Sequence, residues 1–476
     1  MSTKWTFVRV VSSFFIIHFP KRSEHFVGGG VEMERKNFAE RRFLPLVSAL
    51  LFFCLAFLPL SASAQEEPEI DLLAALVSSA SYSDDGGLLV RSWLKETAWD
   101  FQSRSTSTRA AEGRVHLARK TLADGRRIAV LSFPGTENKK DIEVDLRLSA
   151  VPFGGTSPSE FTAVAAGSDA RDLPHVHKGF NDFVMAALFT EEMPEFGNRT
   201  AGEALADELK EHPEEVLYLT GHSLGGAASL VTAARLADLG VPPEQLRVIT
   251  FGAPAVGDEK FARLYETKLH FTRIVMKADP VVAILQSLGK GFVQFGEKIV
   301  WKPRTREDRF HHEMALYFDE ALRCYYDAVQ TDSPHELFCG TPQELAGGLY
   351  VAASSFDLPE ALAQDAPYIE RAVHDALDVR YAPTVFSTQG GTQESLFAAA
   401  RAAGCKYVLV EHFSGNLLRE RHGSFRLTLE EELYTSDGRL LSMESRSTNT
   451  GDLPAIEAFL YLMYKGSETR DAALGL

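Results

Sequence analysis

The 476-residue chain predicts an α/β fold with a mostly parallel central sheet covered by helices, followed by a smaller C-terminal α+β module. Three observations lead there. Between Leu72 and about Phe318, short apolar runs of strand length alternate with helical stretches. One of those strands, Val216–Thr220, runs through a glycine-flanked turn directly into a helix rich in Ala and Leu. After about Cys339 the pattern changes, and Phe425, Leu427 and Leu429 alternate with Arg426, Thr428 and Glu430 as in a half-exposed strand.

Composition sets outer bounds. A chain with 45% hydrophobic and 24% charged residues is neither disordered nor collagen-like, and 4 Cys in this length is not a disulfide scaffold. The net charge of −16 excludes the broad basic surface that nucleic acid requires, so no nucleic-acid partner is expected.

The first 64 residues read as a leader outside the fold. Arg41 and Arg42 precede an apolar run, Phe43–Leu60, and then the small residues Ser61–Ala64, the three parts of a secretory signal with cleavage after Ala64. Translation is expected to start at Met33, with the signal peptide over 33–64, because Gly28–Glu32 looks like a translated ribosome-binding stretch. That points to a bacterial source and a secreted or periplasmic protein. Without the leader the net charge becomes −20 over 412 residues. Such a charge disfavours capture by anionic lipid at long range, so transient contact with a lipid interface would need an apolar face.

Past the leader, Arg127–Phe133 is a buried-strand run, and Val151–Pro174, rich in Gly, Ser and Ala without periodicity, reads as a long loop or flap. The strand Val216–Thr220 is followed by a helix over 224–239, and Arg247–Phe251 and Phe271–Val275 supply two more strands. This larger part is assigned to 65–340. The second part, 358–468, carries helices over 359–377 and 392–403 and a strand at Lys406–Val410. It continues with a hairpin turn at Ser436–Gly438 into 439–445 and closes on a helix over 454–464. Its role and protein partner are not indicated. Cys324 and Cys339 are expected to be able to pair in an oxidising compartment, and Cys405 to be buried and inert.

The chemistry centres on Ser223. Gly221-His222-Ser223-Leu224-Gly225 is G-x-S-x-G in the strand–turn–helix setting of a nucleophile elbow, where bulky neighbours two positions away would clash. The helix that follows directs its free N–H groups at developing negative charge. A serine nucleophile needs a base and an orienting carboxylate, in the order Ser, Asp, His. Asp279, just past a strand, and Asp258 are the candidate acids; His311, His312 and His335 are the candidate bases. No cofactor or metal is implied.

Seven motifs, in order, resemble the fungal-lipase-like (class 3) lipases of the α/β-hydrolase superfamily over about Leu72 to Phe318. They are Phe133–Thr136, Asp141–Leu146, Val176–Phe180, Gly221–Gly226, Thr250–Gly257, Asp279–Val281 and His312–Tyr317. The resemblance implies Ser223 as nucleophile, His312 rather than His311 as base, and Asp279 as its orienter. It implies an oxyanion hole from Thr136 and the backbone N–H of Leu224, and a lid region over 149–174. Pro134 stands where the family usually has Arg, and Ile142 where Trp is common. His177 and His222 match family positions and read as packing or backbone-bonding side chains. The implied activity is hydrolysis of carboxylic esters of lipids, acylglycerol or phospholipid, through an acyl-enzyme. The competing reading is an inactive lipase-fold envelope scaffold whose C-terminal module binds a partner.

Overall fold

The structure, a computed structural model, describes residues 68–476 except 110, 137–148, 168–170, 288–290, 330–333, 389, 420–422 and 452. The leader and the Asp141–Leu146 motif therefore lie outside the described residues.

A seven-stranded sheet in the order β1-β2-β3-β8-β9-β11-β13 forms the scaffold. Strands β1 (Asp100–Ser107), β2 (Glu112–Thr121) and β3 (Arg127–Phe133) are antiparallel. From β3 onward, β8 (Val216–His222), β9 (Leu246–Phe251), β11 (His270–Met276) and β13 (Glu297–Trp301) run parallel. Register places Leu131, Leu219 and Val248 side by side on one face, while Val130 and Ile249 enter the core on the other, as a sheet covered on two sides demands. A second, four-stranded sheet, β12-β10-β5-β4, joins Phe292–Val293, Gly257–Asp258, His175–His177 and Ala150–Pro152, and the two-residue strands β6 (Glu192–Met193) and β7 (Arg199–Thr200) pair separately.

On one face of the large sheet lie α4 (Lys178–Val184), α5 (Ala201–Glu211) and α6 (Leu224–Asp238), around Leu205, Leu209, Leu230 and Val231. Helix α6 is buried over 225–236, and its small residues permit close approach: a Cβ on Gly225 would stand 2.1 Å from the Phe133 carbonyl oxygen. The opposite face is covered by α1 (Pro68–Ala80), α2 (Asp85–Glu96) and α8 (Met314–Ala328). Helix α7 (Glu259–Tyr265) starts at Asp258, whose carboxylate caps the Phe261 N–H at 2.9 Å.

The region expected to be a loop over 151–174 contains strand β4 and helix α3 (Pro158–Ala166). Its start is specified locally, with Ser157 as N-cap and Pro158 in the first turn. Phe161, fully buried, packs edge-on to Phe189 and under the Arg235 guanidinium, which lies 4.2 Å from its ring centroid.

The C-terminal sheet follows the order β16-β14-β17-β18-β19, with β15 (Ser355–Asp357) beside β17. Strands β14 (Gln343–Val351), β16 (Tyr381–Phe386) and β17 (Tyr407–Leu417) are parallel, and β18 (Phe425–Thr435) and β19 (Leu440–Asn449) close it antiparallel. Helices α9 (Ala366–Arg380), α10 (Gln393–Ala402), α11 (Ala455–Lys465) and α12 (Ser467–Leu474) accompany it. The first begins seven residues later than the sequence pattern indicates, because Pro367 fits only the first turn of a helix.

The sheets separate the two expected parts, but the core does not: Glu66–Leu476 is one compact unit. Leu72 and Leu76 of α1, Phe318 of α8, Val373 of α9, Leu427 of β18 and Phe459 of α11 belong to one apolar cluster. Each such side chain contributes about 1.5–3 kcal/mol on burial. Arg323 of α8 adds a buried ion pair to Asp365 at 2.8 Å, just ahead of α9, while holding Asp319 at 2.9 Å. The pairing that the sequence leaves open is not made: Cys324, Cys339 and Cys405 are all free, with Cys324 half-buried on α8 and Cys339 exposed. Cys405 is buried, as expected.

Candidate active site

Parallel strands deliver their carboxyl ends to one edge of the sheet, and the candidate residues collect there. Ser223, between β8 and α6, has φ 57° and ψ −124°. A non-glycine residue at such angles costs about 1–3 kcal/mol and persists only where its surroundings hold it. Here the Ser223 N–H donates to the Phe251 carbonyl at 2.9 Å, and a Cβ on Gly221 would come within 2.4 Å of the Gly225 carbonyl carbon. The elbow is thus held by β9 on one side and by glycine contacts on the other.

Ser223 Oγ lies 2.8 Å from His312 Nε2, and His312 Nδ1 lies 2.8 Å from Asp279 Oδ2. All three side chains are buried or nearly so. Asp279 follows the left-handed residue Ala278 (φ 68°) at the end of β11. Its Oδ1 accepts the Val281 N–H at 2.9 Å, and its Oδ2 also accepts the Tyr317 hydroxyl at 2.7 Å. With the carboxylate held by three donors, His312 Nδ1 carries the proton and Nε2 is left to accept one from Ser223. Tyr317 is itself held by the Met276 N–H, at 2.8 Å.

The other sequence candidates stand elsewhere. His311 donates from Nδ1 to the Lys277 carbonyl at 2.7 Å, Asp258 caps α7, and His335 caps the short turn at 336–338. His222 Nε2 donates to the His312 carbonyl at 2.7 Å, so its Nδ1 accepts from the Tyr82 hydroxyl, also at 2.7 Å. Burial, with His312 nearby, holds the His222 pKa well below the ordinary histidine value, which keeps it in this neutral tautomer. His177 is buried and stacks 4.3 Å from Phe180.

Thr136 ends the described part of the loop that leaves β3, and Leu224 opens α6, where the first N–H groups have no partner within the helix. The loop is pressed against the elbow: a Cβ on Gly135 would lie 2.8 Å from the His222 carbonyl oxygen and 2.2 Å from the Tyr82 hydroxyl. Arranged this way, the site can deprotonate a serine hydroxyl and offer backbone donors beside it.

Three contributions are not read from the sequence. Tyr82, between α1 and α2, buttresses His222, and Gly135 admits the loop beneath it. Gly252, at φ 59°, would carry its Cβ 2.7 Å from Asp279 Oδ2 and 3.1 Å from His312 Nδ1. The glycine of the Phe-Gly motif was a signal for a close approach, but what approaches it is a tertiary fact. Among the described residues, no cluster of three or more His, Cys, Asp or Glu is placed to hold a metal ion.

The family model for lipase (class 3) matches residues 130–287. Among curated proteins, the chain is 34% identical over 126 residues to a lipase of Rhizomucor miehei, covering 26% of this chain and 32% of that protein. It is 27% identical over 191 residues to phospholipase A1-II 1 of Oryza sativa subsp. indica (38% and 43% covered). To toxin TseL of Vibrio cholerae it is 31% identical over 122 residues (25% and 17% covered). The chain therefore spans less than half the length of these relatives. Among solved structures, a Rhizomucor miehei lipase–propeptide complex aligns with a TM-score of 0.38 at 22% identity, covering 50% of this chain and 68% of that one. Over residues 130–287, then, this chain is similar to the lipase (class 3) family.

Proposed function

We propose that the protein is a secreted or periplasmic serine hydrolase that cleaves carboxylic esters of lipids through an acyl-enzyme. The observation that carries this reading is the unbroken relay from Asp279 through His312 to Ser223, with both links at 2.8 Å. Ser223 Oγ attacks the ester carbonyl as its proton passes to His312 Nε2. The new C–O bond places negative charge on the former carbonyl oxygen, beside the N–H groups of Thr136 and Leu224. His312 then gives its proton to the departing alcohol, and water, deprotonated by His312, releases the acid and restores Ser223.

Similarity to proteins named lipase and phospholipase A1 supports lipid esters as the substrate class. Export is supported by the sequence alone, through the signal-like run ending at Ala64. A fluorophosphonate probe tests the chemistry. Labelling of the wild type that disappears in Ser223→Ala is expected. No labelling of a folded wild type would favour the inactive-scaffold reading, in which Pro134 marks a decayed oxyanion loop.

A further inference from the structure

Beside the relay lies a polar cleft of about 430 Å³, lined by Lys277, Lys302, Thr305, Glu307, Arg309 and His311 together with Ala278, Pro303 and Leu316. Its walls belong to the segments that carry the relay. Ala278 immediately precedes Asp279, and His311 immediately precedes His312, each one Cα step of about 3.8 Å away. The hydrogen bond from His311 Nδ1 to the Lys277 carbonyl ties these two walls together.

The cleft is electropositive in a protein of net charge −16. Met276 and Trp301 pair in register, so Lys277 and Lys302 leave adjacent strands side by side at the carboxyl edge of the sheet. Both are exposed, and neither has an ion-pair partner among the described residues. Arg309 is different: its side chain is only 5% exposed. Its Nε meets Glu307 at 3.0 Å and its Nη1 meets Glu313 at 3.2 Å, while Nη2 has no partner. Glu307 is the lone carboxylate in the lining, and burial raises its pKa to about 7, so it offsets the cations only in part near neutrality. The Thr305 hydroxyl accepts the Glu307 N–H at 3.3 Å and keeps its own proton to donate.

Three cations and a hydroxyl around one concavity suit a compact, oxygen-rich anion. The shared walls suggest that this anion belongs to the molecule whose ester is cut. We propose that the cleft is a headgroup subsite, which takes the phosphodiester of an anionic glycerophospholipid while an acyl ester of the same molecule reaches Ser223. This rests on the ester-hydrolase reading above. The local field of the cleft recognises the headgroup at short range, against the long-range repulsion that the protein's net negative charge exerts on an anionic surface.

The test uses the full chain and compares kcat/KM on phosphatidylglycerol with that on dioleoylglycerol in the same neutral micelles. The ratio is expected to fall about tenfold in Lys277→Gln and in Lys302→Gln, the loss expected for one charge-assisted contact, and to be kept in Lys302→Arg. An unchanged ratio in folded variants overturns the proposal. So does an effect confined to inorganic phosphate, in which the substitutions weaken inhibition by that ion but leave the lipid ratio untouched. Co-sedimentation of Ser223→Ala protein with phosphatidylglycerol or phosphatidylcholine vesicles separates this inference from the hydrolase reading. If the wild type cleaves no ester, binding to phosphatidylglycerol that depends on Lys277 and Lys302 still upholds the cleft. Equal binding to both vesicles refutes it.

Discussion

Replacing Gly252 with Ala adds one methyl group where the relay has no room. The new Cβ would stand 2.7 Å from Asp279 Oδ2, 2.9 Å from the Tyr317 hydroxyl and 3.1 Å from His312 Nδ1. Ordinary contact at such atoms begins near 3.4 Å, so the carboxylate must retreat by about 0.7 Å and the imidazole by about 0.3 Å. Moving both atoms outward from the new Cβ lengthens the 2.8 Å His–Asp bond to about 3.3 Å, just past the usual hydrogen-bonding range. The backbone resists the change as well, because φ 59° disfavours any residue with a Cβ by about 1 kcal/mol. Loss of orientation at a catalytic histidine costs roughly 10²–10⁴ in kcat, and a displacement of this size belongs at the lower end, about 10². The assay is kcat on a soluble short-chain ester, alongside the rate of fluorophosphonate labelling, which should slow in parallel. Thermal unfolding should still be cooperative, with a loss of about 1–2 kcal/mol. A folded Gly252→Ala protein with wild-type kcat would refute the claim that this glycine sets the relay.

Ser223→Gly should abolish labelling and yet exceed Ser223→Ala in stability by about 1 kcal/mol in denaturant titrations, because glycine adopts φ 57° without strain. Glu411 is fully buried with neither oxygen partnered, and burial raises its pKa to about 8. Its folded form binds the proton more tightly than the unfolded chain does, so wild-type stability should decline as pH rises from about 4.5 to 8. Glu411→Gln should remove that decline and melt higher than wild type at pH 8.5, by a few kcal/mol, but not at pH 4.5. Arg323→Ala leaves Asp319 and Asp365 buried without their partner and should cost about 3–5 kcal/mol by urea titration. A thiol reagent added to unreduced, unfolded protein lacking the leader should count three thiols, where a Cys324–Cys339 bond would leave one.

What the sequence revealed depended on how locally each feature is specified. Arg127–Phe133 and Val216–Thr220 were legible because strands buried on both faces must be apolar throughout. Strand β1, Asp-Phe-Gln-Ser-Arg-Ser-Thr-Ser, was not, since an antiparallel edge strand open to water needs no such run. In β14 the pair Gly347 and Gly348, both at positive φ, interrupts the apolar pattern where the register shifts. Helix α3 escapes a reading by periodicity, although Ser157, Pro158 and Glu160 carry its start signal, because the glycines and alanines around it dilute the pattern. The elbow at Ser223 is a local motif and was plain. Choosing His312 over His311 by spacing alone was not feasible, and required the motif resemblance. Tyr82 and Gly135 act across about 140 and 50 to 90 residues of sequence, so no local pattern records them. The continuity of the two cores is equally non-local: alternation marks a strand as half-buried without saying what buries it.

Helix α8 joins the site to the C-terminal sheet in a single rigid segment. It begins two residues after His312, presents Tyr317 to Asp279, and one turn and a half further on commits Arg323 to Asp365. Thermal damage cannot then be confined to one half of the molecule. An element that frees its grip on Asp365 also frees the tyrosine behind Asp279, so activity and the docking of the last 110 or so residues should disappear in the same cooperative transition. The protein should have no intermediate temperature range in which a frayed C-terminal region trails behind an intact Asp279–His312–Ser223 relay.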